Sequence, residues 1–270
     1  MKPMSASISP SRLQRSQGRA ELAFKRRGPA TVLDRLQQQG CARIRLPDVH
    51  NPGCPEAVLL NTAGGLTGGD RFEFSCHWGE GTAATVATQA AERIYRSSGG
   101  TAHVANRLTI AEAASAHWLP QETILFDGGA IERQFEADLA ADARLVAVES
   151  WMIGRHAMGE TVRSARIREH WRIRREGKLV FADTFRLDGN LQALLERPAV
   201  AQGRTCFATV LVACRGAAKL SDVVRPHASC SVLGDMLVGR LLAMDIADLR
   251  RRLQEFMMLL ELRVPRVWAC

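Results

Sequence analysis

Lysine is scarce in this chain of 270 residues: only Lys2, Lys25, Lys178 and Lys219 occur among 36 cationic side chains, so arginine supplies the rest. No lysine lies near the glycine-rich string "LLNTAGGLTGGD" (Leu59 to Asp70), which excludes a phosphate-cradling P-loop there. Gly64, Gly65, Gly68 and Gly69 also fall in pairs, not at the spacing of a dinucleotide fingerprint. Seven cysteines are scattered without a C-x-x-C pair, which argues against a disulfide framework or zinc module and for a reducing, cytoplasmic setting. H-E-x-x-H and G-x-S-x-G are both missing, so neither a zinc protease nor a serine-hydrolase elbow has local support. No apolar run approaches the ~20 residues needed to span a bilayer. Aromatics make up 6% of the chain and no nucleic-acid module is recognisable, which leaves a net charge of +8 better suited to carboxylate-rich protein partners than to nucleic acid.

The opening "MKPMSASISPSRLQRSQGRA" is basic but has no apolar core, so it is not a secretory signal. A disordered tail is expected over residues 1–17, with a single mainly-β domain over 18–270. The remainder is dominated by period-two alternation. In "RFEFSCHW", Phe72, Phe74 and Cys76 share one face, as a half-buried strand requires. "RIREHWRIRREGKLVFADTFRL" reads as a hairpin turning at Glu176-Gly177. Its first strand sets Ile167, Trp171 and Ile173 against Arg166, Arg168, His170, Arg172 and Arg174. "CFATVLVACRG" is apolar throughout, as a strand covered on both faces would be. "SCSVLGDMLVGRLL" breaks at Gly234-Asp235, a hairpin signal. One clear helix follows Asp245, with a stripe of Ile246, Leu249, Leu253, Phe256 and Leu260. A short helical turn is expected at 190–196, and "TQAAERIY" is expected to continue a strand. These elements predict packed β-sheets with few helices.

Several acids stand beside glycines or in apolar surroundings: Asp70, Glu122, Asp127, Glu149 and Glu160. A buried carboxylate needs a partner, and Arg155 lies between the last two in sequence. From the residues alone, structural acids paired with arginine and functional acids stay equally open. So do an unrecognised hydrolase and a basic protein- or nucleic-acid-binding module.

Five blocks in order resemble the UreD/UreH family of urease accessory proteins: "LLNTAGGLTGGD", "TQAAERIYRS", "HWLPQETILFDGG", "ESWMIGRHAMGE" and "VPRVWAC". The resemblance runs from about Gly18 to the C-terminus. It implies stacked sheets in a helix-like winding and a chaperone that is not an enzyme. Members bind apo-urease and, with UreF-type and UreG-type partners, bring nickel to the urease active site; the GTPase is UreG. The resemblance implies no tightly bound cofactor and at most transient Ni²⁺, with no nucleic-acid or membrane partner. The five acids then become candidate carboxylates along a nickel path. Oxygen ligands suit a transit route because they hold the ion weakly enough to release it. The paired glycines are expected to let tight turns line such a passage.

Overall fold

The computed structural model describes residues 14–47, 53–155 and 159–269. In chain order its first strands are β1 (Gln17–Arg27), β2 (Ala30–Gly40), β3 (Ala42–Arg45), β4 (Glu56–Asn61), β5 (Arg71–Trp78) and β6 (Ala83–Thr88). Next come β7 (Glu92–Ile94), β8 (Ala102–Ile110), β9 (Ser115–Trp118), β10 (Thr123–Leu125), β11 (Ala130–Leu139) and β12 (Arg144–Ile153). The hairpin strands β13 (Ala165–Arg175) and β14 (Lys178–Gly189) precede a short helix α1 (Leu191–Leu195). Then follow β15 (Cys206–Ala213), α2 (Ser221–Val224), β16 (Ser229–Leu233), β17 (Met236–Ala243) and α3 (Ile246–Leu259).

Two sheets face each other. The first has the order β14-β13-β11-β8-β5-β1-β2, and the second β16-β17-β15-β12-β9-β6-β4-β3, with β10 bridging β12 to β7. The middle of each sheet is parallel: β1, β5, β8, β11 and β13 in the first, β4, β6, β9 and β12 in the second. The chain therefore winds from sheet to sheet and back, which is the helix-like winding expected. Among the described residues, the crossings from the second sheet to the first fall in one set of loops: 62–70, 95–101, 126–129, and 154–155 with 159–164. Parallel neighbours place these loops side by side, so four of the five sequence blocks contribute to one edge.

The alternation read from sequence has its cause in this arrangement. Phe72, Phe74, Cys76 and Trp78 turn inward from β5, and Ile167, Trp171 and Ile173 from β13. Phe135 stacks on Trp171 at 4.4 Å and meets Trp118 of the other sheet at 6.0 Å. The outer face of the first sheet carries the Arg166–Arg174 row, with Glu132 and Glu136 of β11 in register with Arg168 and Arg172. An acidic strand row thus lies beside the basic one on this face. On the far side, α3 lays Leu249, Leu253 and Phe256 over β15 and β17. β15 is thus buried along its whole length, which explains its uninterrupted apolar run.

Local signals are matched by local geometry. Glu176 and Gly177 both have positive φ (50° and 74°), the signature of a two-residue hairpin turn whose twist suits the flanking strands. Asp245 caps α3 by accepting from the Asp248 N–H at 2.8 Å, and Asn190 caps α1. One expectation needs amending: "TQAAERIY" is not a single strand. β6 stops at Thr88, residues 89–91 bend, and β7 resumes at Glu92 because it pairs with β10 instead of β9. The expected tail lies outside the described residues up to residue 13; Gln17 already pairs with Arg71. No helix among the described residues is long and apolar enough to cross a membrane.

Candidate functional site

The glycine string sits at the crossing edge, and its composition follows from how tightly the loops stack. A Cβ on Gly65 would run into the Tyr95 ring and stand 2.8 Å from the Arg93 carbonyl oxygen; one on Gly68 would be 2.7 Å from the Gly100 carbonyl. The neighbour that demands glycine is therefore the next loop of the winding. Gly64 and Gly69 serve the turns themselves with positive φ. Asp70 closes the string by bonding backbone: its carboxylate accepts from the Ser16 N–H and the Thr67 N–H, each at 2.8 Å. It is buried, and both oxygens are engaged.

Asp127 and Glu160 meet one loop further along. Asp127 accepts from the backbone N–H of Arg163 (2.9 Å) and Ser164 (3.1 Å) and pairs with Arg96. The Ser164 N–H, with these other donors, holds its carboxyl below the usual range despite partial desolvation. Glu160 accepts from Arg155 Nε at 2.8 Å and from the Arg155 and Asp127 N–H groups. Burial pushes its carboxyl up, but these hydrogen bonds outweigh it and leave the group lowered. Glu122 lies elsewhere. It takes a two-pronged contact from Arg250 of α3, at 2.6 and 3.1 Å, and so ties the helix to the loop before β10.

Glu149 belongs to a different setting, a buried polar cluster between the sheets. Arg133 from β11 reaches across to Glu149 of β12, and its Nη1 also lies 3.4 Å from Glu169 of β13. Arg133 Nη2 donates to Thr123 Oγ1 at 2.5 Å, and the guanidinium rests over the Trp151 ring at 4.7 Å. Trp118 Nε1 donates to Glu149 and Trp151 Nε1 to Glu169, both at 3.0 Å. Two carboxylates thus share one guanidinium. Burial pushes the Glu169 carboxyl up to about 7, with the neighbouring Glu149 charge adding to it and Arg133 opposing. Glu92, on β7, faces this cluster from the side and hydrogen-bonds Asn61 at 3.2 Å; burial raises its carboxyl too. It lines a cavity of about 180 Å³ with Asn61, Gly64, Phe74 and Thr88. Among the described residues, Arg133 Nε and Asn106 Oδ1 are buried without a hydrogen-bond partner.

Of the five acids named from sequence, the fold brings together Asp127 and Glu160 and separates the others. Arg133, Glu169 and Glu92 were not named. A signal existed: Glu169 sits in the apolar register of "ARIREHWRI", and Arg133 in that of "AIERQFEADL". A charge at a core position in each of two strands calls for a partner. Among the described residues, no three His, Cys, Asp or Glu groups are placed to hold a metal ion.

A hydrolytic pair would have to be sought at His117, which contacts Thr85 (3.1 Å), Ser115 (3.3 Å) and Cys54 (3.9 Å). Burial drives the His117 imidazole down to about 4 and the Cys54 thiol up. Both directions oppose an imidazolium–thiolate pair, which needs the imidazole charged and the thiol ionised.

Comparison with known proteins places relatives along nearly the whole chain. The family described as "UreD urease accessory protein" matches residues 16–269. A urease accessory protein UreD from Rhizobium leguminosarum bv. viciae is 43% identical over 98% of this chain and 99% of its own length. One from R. leguminosarum bv. trifolii (strain WSM2304) is 44% identical, covering 95% of this chain and 96% of its own. A protein called urease accessory protein UreD 1, from Brucella abortus biovar 1, is 41% identical over 95% of each chain.

Proposed function

The chain belongs to the UreD family of urease accessory proteins, and on that premise we propose that it is a nickel-delivery chaperone and not an enzyme. On this reading it binds apo-urease in the cytoplasm and, with UreF-type and UreG-type partners, passes nickel as cargo toward the urease active site. The UreG-type partner supplies GTP hydrolysis, in keeping with a sequence that offers no phosphate cradle.

The observation that carries the reading is the set of acids around the single Arg133: Glu149 and Glu169, both buried, and the half-buried Glu92. Three carboxylates around one guanidinium are costly between packed sheets, and a fold that needed only inter-sheet adhesion would do as well with apolar residues. Oxygen donors on β7, β12 and β13 give a hard cation places to step without a closed cage to trap it. Asp127 and Glu160 supply oxygens at the loop edge, while Asp70 and Glu122 serve the fold through their backbone and Arg250 contacts. The test is urease maturation in cells carrying a urease operon. Glu149→Gln and Glu169→Gln should leave the accessory complex assembled but lower the nickel content and activity of the urease it matures. Urease with its full complement of nickel from both variants would refute the route. Loss of the complex would assign the pair to structure.

A further inference from the structure

The crossing edge carries a side-chain cluster that neither the buried acids nor the winding requires. Tyr95 is the chain's single tyrosine and is 37% exposed. Its ring meets Phe126 edge-on at 5.1 Å, and its hydroxyl donates to the Gly64 carbonyl at 3.3 Å. Arg155 stacks over the other reach of Phe126 at 4.4 Å while its Nε holds Glu160. Gly65 is bare because this ring lies against it. Around the aromatic pair stand Arg93, Arg96, Arg155 and Arg163, all exposed. Only two carboxylates answer them, and Asp127 and Glu160 are already paired with Arg96 and Arg155. Arg93 and Arg163 make no salt bridge or side-chain hydrogen bond among the described residues, the Glu92 carboxylate acting on Arg93 only through its charge.

We propose that this edge, centred on Tyr95 and flanked by Arg93 and Arg163, is a docking surface for a partner protein presenting carboxylates around an apolar contact. The inference rests on the accessory-protein reading, since it requires partners. Tyrosine and arginine are the residue types that dominate binding hot spots. Tyr95 is held in place before any partner arrives, by its packing on Phe126 and its bond to the Gly64 carbonyl, and Arg96 and Arg155 by Asp127 and Glu160, so little of their side-chain freedom is lost on binding. The unanswered guanidinium groups fix the sign of the partner, because arginine pairs with carboxylates in a planar fork. A single-stranded nucleic acid would want a run of exposed rings for successive bases; here one ring pair stands alone.

The test uses the chain co-expressed with apo-urease and the UreF-type and UreG-type proteins of a urease operon. Hydrogen exchange of the purified complex should show protection of residues 62–70 and 93–101 relative to the chain alone. Arg93→Glu with Arg163→Glu should weaken capture of at least one protein component by about tenfold or more, and added salt should weaken the parent complex likewise. Tyr95→Ala should lower capture without changing salt dependence. Reversal at Arg168 and Arg172, on the outer face, should leave capture unchanged. A complex that forms with this edge unprotected, and that tolerates the Arg93/Arg163 reversal, would overturn the inference while leaving the accessory reading standing. Failure of the parent chain to capture any of these proteins would overturn both. Retention of duplex DNA that the reversal abolishes, without protein capture, would make the edge a nucleic-acid surface and also overturn it.

Discussion

Replacing Arg133 with methionine probes the buried cluster most directly. The substitution keeps an unbranched, shorter apolar side chain but removes the guanidinium that Glu149 and Glu169 share, its bond to Thr123, and its place over Trp151. Both carboxylates would stay buried with one indole N–H each. Removing one partner of a buried ion pair costs about 3–5 kcal/mol, and part of that is offset as Glu169, already raised by burial, takes up a proton. At about 2–4 °C per kcal/mol for a chain near this size, the melting temperature should fall by on the order of 6–20 °C. Thermal unfolding followed by circular dichroism, at pH 7.5 in a soluble co-expressed preparation, reads this directly. The triple variant Arg133→Met, Glu149→Gln, Glu169→Gln removes the charges together and should recover most of the loss, since neutral replacements of buried ionic groups are often tolerated. An Arg133→Met protein that melts with the parent would refute the buried-charge account. A triple variant as unstable as the single one would move the cause from charge to packing.

Other outcomes follow from the same geometry. Because the folded Glu169 carboxyl titrates near 7, above its unfolded value, the native state holds the proton more tightly; stability from this group is greatest at low pH and is lost as pH rises through about 7. Urea titrations at several pH values should show that slope in the parent and a flatter one in Glu169→Gln. Gly65→Ala should destabilise far more than Gly64→Ala, since a methyl at 65 meets Tyr95 and the Arg93 carbonyl while one at 64 meets open space and costs only the ~1–2 kcal/mol of left-handed backbone; equal melting temperatures would contradict the stacking account. Asp70→Asn keeps shape but turns an amide NH₂ toward one of two backbone N–H donors, so a loss of about 1–3 kcal/mol is expected. A variant as stable as the parent would show that these two bonds do not anchor the loop. Its urease activation, measured where the complex still forms, separates that structural cost from any part in the nickel route.

The sequence by itself determined whatever depends on neighbours along the chain. Inward Phe72, Phe74 and Cys76, the turns at Glu176-Gly177 and Gly234-Asp235, and the Asp245 cap on α3 were all legible, because side-chain alternation, positive φ and end-capping are settled within a few residues. The five blocks in order were legible as a family. The tertiary structure alone decided which strands lie side by side, and so what the charges are for. Glu149 and Glu169 are separated from Arg133 by 16 and 36 residues, on strands of two sheets, and no local period announces that they share one guanidinium. Glu122 finds its arginine 128 residues away on α3. The glycines show the same division: their number was plain in "LLNTAGGLTGGD", but the reason was not. It lies in the Tyr95 ring and the Gly100 carbonyl of the next loop, a contact that exists only once the chain has wound back beside itself.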